Sequence, residues 1–200
     1  MAEADRNLWN QRYLEGAYSN RTYPSEILTS WIHTVPVCKK RALDVACGTG
    51  RNARFLAEFG FGSVLGVDIS DVALHQAREL NSSSNQTVQY RIHDLDHGLA
   101  EFGTFDLITV IRFVDKRMIS AIDRSLNDNG CVLLELHLKH EGSEQLAGPR
   151  TDRFRVEAGE VQQLISHMEI LRDFEGLIKD PDGRKSAVVQ LLARKNPSSS

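Results

Sequence analysis

Apolar positions in this chain switch between two patterns. Largely apolar runs end at Val45, at Asp68 (Ser63–Asp68), at Ile111 (Phe105–Ile111) and at His137 (Cys131–His137), and each reads as a strand; another strand is expected near Val88–Ile92 after a polar loop. Between them, apolar residues recur at helical spacing. The stripes are Ala53, Leu56, Ala57 and Phe59, then Ala73, Leu74, Ala77 and Leu80, then Met118, Ile119, Ile122 and Leu126. A further stripe, Val161, Leu164, Ile165 and Met168, follows a polar stretch. The alternation predicts a doubly wound α/β domain whose ligand site lies beyond the carboxyl ends of the strands. Phe105–Ile111 is so uniformly apolar that it reads as a central strand covered on both faces. Two last strands, near Ile170–Gly176 and Ser186–Ala193, would form a hairpin around Asp180-Pro181-Asp182-Gly183.

Turn signals divide the rest. Residues 1–40 read as an N-terminal helical cap, with Ile27, Leu28, Trp31 and Ile32 at helical spacing after Pro24-Ser25. Gly60 is placed as a helix C-cap, Ser70 as an N-cap, residues 81–85 as a loop and Asn129-Gly130 as a turn. The polar stretch from Leu138 to Glu157, with Gly148-Pro149, Arg150, Arg153 and Arg155, reads as a long loop over the acceptor pocket, a substrate lid. The expected organisation is one domain over residues 1–195, with the core at 41–195 and a disordered tail at 196–200.

The candidate chemistry starts at Leu43-Asp44-Val45-Ala46-Cys47-Gly48-Thr49-Gly50-Arg51-Asn52-Ala53, where a strand meets a glycine turn and then a helix. Gly48 and Gly50 let the backbone turn and a ligand approach closely, and free N–H groups of the helix start face the same crevice. Gly48-x-Gly50-x-x-Ala53 also fits a relaxed dinucleotide pattern. Asp44 separates the two cofactor classes. Pyrophosphate beside a carboxylate is repelled, whereas a sulfonium and an ammonium are attracted, so S-adenosylmethionine is favoured over NAD. Asp68, about twenty residues on and at a strand end, suits the ribose hydroxyls. Ile69 beside it and Ile111 at the end of the central strand complete this part of the crevice.

Composition changes little. Two hundred residues suffice for one ordinary core, and a net charge of −3 gives no overall pull toward nucleic acid or anionic membrane. Cys38, Cys47 and Cys131 show no zinc or disulfide spacing, so no metal is expected. The N-terminus lacks a secretory pattern, and no apolar run approaches membrane-spanning length. The expectations are a cytoplasmic protein, a monomer or homodimer, acting on a small molecule.

Asp44-x-Ala46-x-Gly48-x-Gly50 resembles motif I of the class I S-adenosylmethionine-dependent methyltransferases, with Ala46 in place of the first glycine. The longer run from Leu43 to Ala53 is similar to the tellurite-resistance and thiopurine methyltransferase-like subgroup. The resemblance implies a seven-stranded, mostly parallel Rossmann-like sheet with an antiparallel C-terminal pair. It also implies an adenine contact from Asp94 and Leu95, and a segment Trp9-x-x-Arg12-Tyr13 lying over the cofactor. Arg12 could grip a carboxylate there, and Trp9 and Tyr13 could close on cofactor or substrate. The Asn/Asp-Pro-Pro-Tyr/Phe motif of amino-group methyltransferases is replaced by Ile111-Arg112-Phe113-Val114, which disfavours an amino-base acceptor; too few cysteines face the crevice for arsenite. The expected reaction is methyl transfer to a small acceptor, with a soft sulfur, selenium or tellurium nucleophile suggested by the resemblance. If a base is needed, His137, Asp115, Glu135 and His140 are candidates, and Arg112 either holds an anionic substrate or pairs with Asp115. Two alternatives stay open: a methyltransferase-like protein that acts on protein or RNA or binds without catalysis and, more remotely, an NAD(P)-dependent oxidoreductase.

Overall fold

The computed structural model describes residues 2–81, 88–142, 145–149 and 151–197. Helices α1 (Ala2–Leu14) and α2 (Glu26–Trp31) precede β1 (Arg41–Val45), α3 (Arg51–Glu58), β2 (Ser63–Asp68), α4 (Asp71–Asn81) and β3 (Val88–Ile92). Then come β4 (Phe105–Ile111), α5 (Lys116–Ser120), β5 (Leu126–His137), α6 (Glu160–Leu164), β6 (Glu169–Lys179) and β7 (Lys185–Arg194). The seven strands form one sheet in the order β3-β2-β1-β4-β5-β7-β6. Pairings among β1 to β5 are parallel, whereas β7 runs antiparallel to both β5 and β6. The order reverses between β1 and β4, so the crevice outside their carboxyl ends is the topological switch point.

The sheet is covered on both faces, and strand alternation assigns each residue to a layer. Ala42, Val64 and Leu107 pack under Leu28, Leu56 and Leu74 from α2, α3 and α4. Leu43, Val67 and Ile108 face Ile119, Val161 and Ile165 on the other side. Every residue of β4 is buried, as its unbroken apolar run requires. Ser70 caps α4, its Oγ accepting from the Ala73 N–H at 3.0 Å.

Three expectations need correction. Leu80 does not face the core: it is 49% exposed, because α4 has passed the sheet edge by its last turn. The Met118–Leu126 stripe is not one helix. α5 ends at Ser120, a 3-10 turn spans Ile122–Ser125, and Leu126 pairs with Phe105 as the first residue of β5. Asn129-Gly130 therefore lies inside β5 as an irregularity, with Asn129 at φ 62° and the register shifting between Phe105 and Leu107. Residues 82–85 of the expected 81–85 loop, Arg150 and residues 198–200 of the expected tail lie outside the described residues.

Candidate active site

The turn between β1 and α3 is built on left-handed backbone. Ala46, Gly48 and Gly50 have φ of 52°, 54° and 73°. Glycine is required at the last two for space as well as for φ. A Cβ on Gly48 would sit 2.5 Å from the Tyr13 hydroxyl, and one on Gly50 would sit 2.3 Å from that of Tyr90. Ala46, with a Cβ in the same region, carries strain on the order of 1 kcal/mol. Cys47 points beneath the turn, where burial pushes its thiol pKa up, so it fills space and is no nucleophile.

Asp68 ties this turn to β2. Its Oδ2 accepts from the Gly48 N–H at 2.8 Å and its Oδ1 from the Ser70 N–H at 2.9 Å. Ser70 in turn donates to Asn10 Oδ1 at 2.7 Å, and Asn10 Nδ2 donates to Asp71 at 2.6 Å. Asn10 thus fixes α1 across the start of α4, a contact that nothing in the local sequence pattern signalled. Tyr13 is the one buried side chain among the described residues of α1, and it lies over Gly48. Burial, followed by the nearby Asp68, pushes its hydroxyl pKa up. Arg12 stacks on Trp9 at 4.9 Å.

Asp44 is buried behind the turn. Its Oδ1 accepts from the Thr109 hydroxyl at 2.8 Å, while Oδ2 has no hydrogen-bond partner among the described residues. Burial is the largest influence and pushes the pKa from 3.8 up to about 7, against the lowering effects of Thr109 and Arg51. A carboxyl that binds its proton more tightly when folded favours the native state at low pH. That contribution is complete below pH 3.8 and is lost as pH rises through about 7. Asp44→Asn removes it. The difference in unfolding free energy between wild type and Asp44→Asn is therefore expected to drift by on the order of 4 kcal/mol against wild type between pH 4 and 7. Urea denaturation across that range measures the drift, and a flat difference would refute the buried carboxyl.

In front of the turn lies a cavity of about 740 Å³. Arg12, Tyr13, Ala46, Gly48, Ile111, Arg112 and His137 line it, as do Tyr18, Arg21, Arg51, Val114, Gly148, Phe154 and Arg184. Trp9, Asp44, Gly50, Asp68, Ile69, Asp94 and Leu95 are not in its wall. Asp94 caps a short 3-10 turn, its Oδ1 accepting from the Asp96 N–H, and Leu95 packs partly against the core. His93 is a satisfied loop histidine, with Nε2 2.6 Å from the Gly98 carbonyl oxygen.

The base candidates separate clearly. Asp115 accepts the N–H groups of Arg117 and Met118 as the N-cap of α5 and does not pair with Arg112. Arg112 instead donates from Nε to Glu135 at 2.6 Å and from an Nη to Asp180 at 2.9 Å. Gln190 takes the second oxygen of Glu135 at 2.7 Å, so that carboxylate is committed to structure. His140 is exposed and borders a separate outer concavity. Only His137 among them lines the cavity. Burial, then Arg112, Arg155 and Arg21, lower its pKa to about 3, so it is a neutral hydrogen-bonding group and a weak base. Gly148 makes room for it: a Cβ there would lie 2.8 Å from the imidazole.

Arg21, Arg51 and Arg184 escaped the sequence reading. A signal existed for Arg51. A cation in the first turn of a helix opposes the helix dipole, so its position directly after Gly50 has no stability rationale.

Comparison with known proteins agrees with this architecture. Residues 42–130 match the methyltransferase domain family. Within the fold, that segment from β1 to β5 resembles a methyltransferase domain. Over 87 residues it is 34% identical to the ubiquinone biosynthesis O-methyltransferase of Thiobacillus denitrificans, covering 42% of this chain and 37% of that protein. Over 123 residues it is 30% identical to YqeM of Bacillus subtilis, covering 57% and 49%. The chain thus spans less than half the length of these relatives. TehB from Haemophilus influenzae superposes with a TM-score of 0.72 at 18% identity, over 94% of this chain and 67% of that one. A SAM-dependent methyltransferase from Methanosarcina mazei gives 0.66 at 20% identity, over 84% and 97%. At these identities the structures establish a shared fold. The residues of the turn also fit S-adenosylmethionine: Ala46, Gly48 and Thr49 lie in the cavity wall, and Asp44 Oδ2 behind them is an unpartnered buried acceptor among the described residues. Among the described residues no helix is long and apolar enough to cross a membrane.

Proposed function

We propose that this protein transfers the methyl group of S-adenosylmethionine to a small molecule held in the cavity beyond β4 and β5. The observation that carries the reading is the Gly48–Gly50 turn, with Asp68 and Asp44 behind it and a cavity in front. When bound, S-adenosylmethionine supplies a methyl group activated by a sulfonium. The chain orients this group and excludes water, since it offers no strong base. Asp68 holds the ribose through the lone pairs left after its two backbone bonds, and Asp44 attracts the ammonium. Asp94 and Leu95 flank the adenine, and Arg12 takes the methionine carboxylate. Neutral His137 positions the acceptor by hydrogen bonding. A soft nucleophile that reacts without a base, such as a thiolate, suits this wall.

Helix α1 and the residues 145–149 and 151–154 act as lids. Support for the first is its thin anchorage: Leu8 and Leu14 are exposed, and α1 is held by Tyr13 and Asn10. The second lays Ala147, Gly148, Pro149, Thr151 and Phe154 along the cavity.

Calorimetric titration with S-adenosylmethionine, S-adenosylhomocysteine and NADH tests the reading. Binding of the first two and not the third is expected, followed by S-adenosylhomocysteine release in an acceptor screen. Binding of NADH alone would overturn it.

A further inference from the structure

We infer that the acceptor is a small organic anion, a carboxylate or phosphate held by Arg21, Arg51 and Arg184 near His137; this rests on the methyl-transfer reading above. Five guanidiniums line the cavity, and no aspartate or glutamate does among the described residues. Three carboxylates stand behind them: Glu135 and Asp180 serve Arg112, and Asp182 is shared by Arg21 and Arg184. Two positive charges are left over. Asp44 and Asp68, buried behind the turn, can at most balance these two. S-adenosylmethionine brings a sulfonium, an ammonium and one carboxylate, so loading the cofactor makes the site more positive. Negative charge therefore has to arrive with the acceptor.

The hydrogen bonding points the same way. Arg21 Nε is buried without a partner, and its link to Asp182 is long at 3.3 Å. Among the described residues Arg51 donates only to the neutral Tyr23 carbonyl oxygen, at 2.8 Å. Burial lowers the Arg51 pKa most, and repulsion from Arg21 lowers it further, against the opposing pull of Asp44 and Glu135. Such crowding of forked donors is what a bidentate oxyanion relieves. Tyr18, Val114 and Phe154 in the same wall supply apolar surface, which suits an organic body over a bare inorganic ion.

The test is calorimetry on the full chain saturated with S-adenosylhomocysteine. The probes are two matched pairs, benzoate with benzamide and phenyl phosphate with phenol. At least one anion is expected to bind tenfold or more tightly than its neutral partner, and the winning pair distinguishes carboxylate from phosphate. Arg21→Gln and, separately, Arg184→Gln are expected to weaken that anion tenfold or more, with thermal unfolding reporting that each variant is folded. Equal affinity within both pairs, or anion binding untouched by both variants, would overturn the inference. The same pairs titrated without S-adenosylhomocysteine keep the two readings apart. Anion selectivity in a chain that never binds S-adenosylhomocysteine would sink methyl transfer alone, and the reverse would sink the anion site alone.

Discussion

Gly50→Ala is expected to cost roughly 3 kcal/mol of folding stability and to abolish cofactor binding. The loss has two sources. Alanine pays for φ of 73°, on the order of 1–2 kcal/mol, and its Cβ would press on Tyr90, whose Oη, Cε1 and Cζ lie 2.3, 2.7 and 2.7 Å from that position. Tyr90 cannot retreat easily, because its ring is buried on β3, packed over Gly66 in the space that a Cβ there would take. Urea denaturation of the single variant, of Tyr90→Ala and of the double variant separates the terms. In the Tyr90→Ala background the glycine substitution should cost only the backbone part, about 1–2 kcal/mol. An unchanged cost in both backgrounds would show that Tyr90 is not the obstacle. The turn also presents the α3 N-terminus to the cavity, so displacing it removes binding with stability.

Asp68→Ala is expected to weaken S-adenosylhomocysteine binding a hundredfold or more and to destabilise the protein by about 2–4 kcal/mol. A residue that touched only the ribose would affect binding alone. Here the carboxylate also satisfies the Gly48 and Ser70 N–H groups, and each loses its partner in a nearly dry site. Burial raises the Asp68 pKa while those backbone donors lower it, so the two bonds also help the group to ionise where a ribose needs an acceptor. Binding and unfolding should be measured on the same sample below its melting transition. Normal affinity in the folded fraction would remove Asp68 from the cofactor site.

Local chemistry explains which parts of the site were legible in the sequence. Asp44, Gly48, Gly50 and Asp68 lie at strand ends, where the chain's direction and the switch point of the sheet determine where each residue goes. β2 could be bounded from its apolar run, and β3 from the polar loop that precedes it. The partners of Arg112 were not legible. Glu135 is reached through the β4–β5 ladder and Asp180 lies 68 positions along the chain, whereas the nearby Asp115 is taken by an N-cap that its own helix demands. The cationic wall was hidden likewise, since Arg21, Arg51 and Arg184 come from the cap, from α3 and from the β6–β7 turn. Leu126 was misplaced because an apolar residue at helical spacing fits a strand start equally well when a 3-10 turn intervenes.

The β6–β7 hairpin closes the sheet, and its tip also reaches the rim of the cavity. Asp180 anchors Arg112 and Ser186, while Asp182 and Arg184 meet Arg21 across from the cap. The ladder itself depends on the strand residues, and the turn is closed by its own bond from the Gly183 N–H to the Asp180 carbonyl oxygen at 2.8 Å. Selectivity and architecture are thereby modular at this edge. Exchanging residues 181–184 for another turn of equal length would re-tailor which molecules the pocket admits while the sheet that supports it stays assembled.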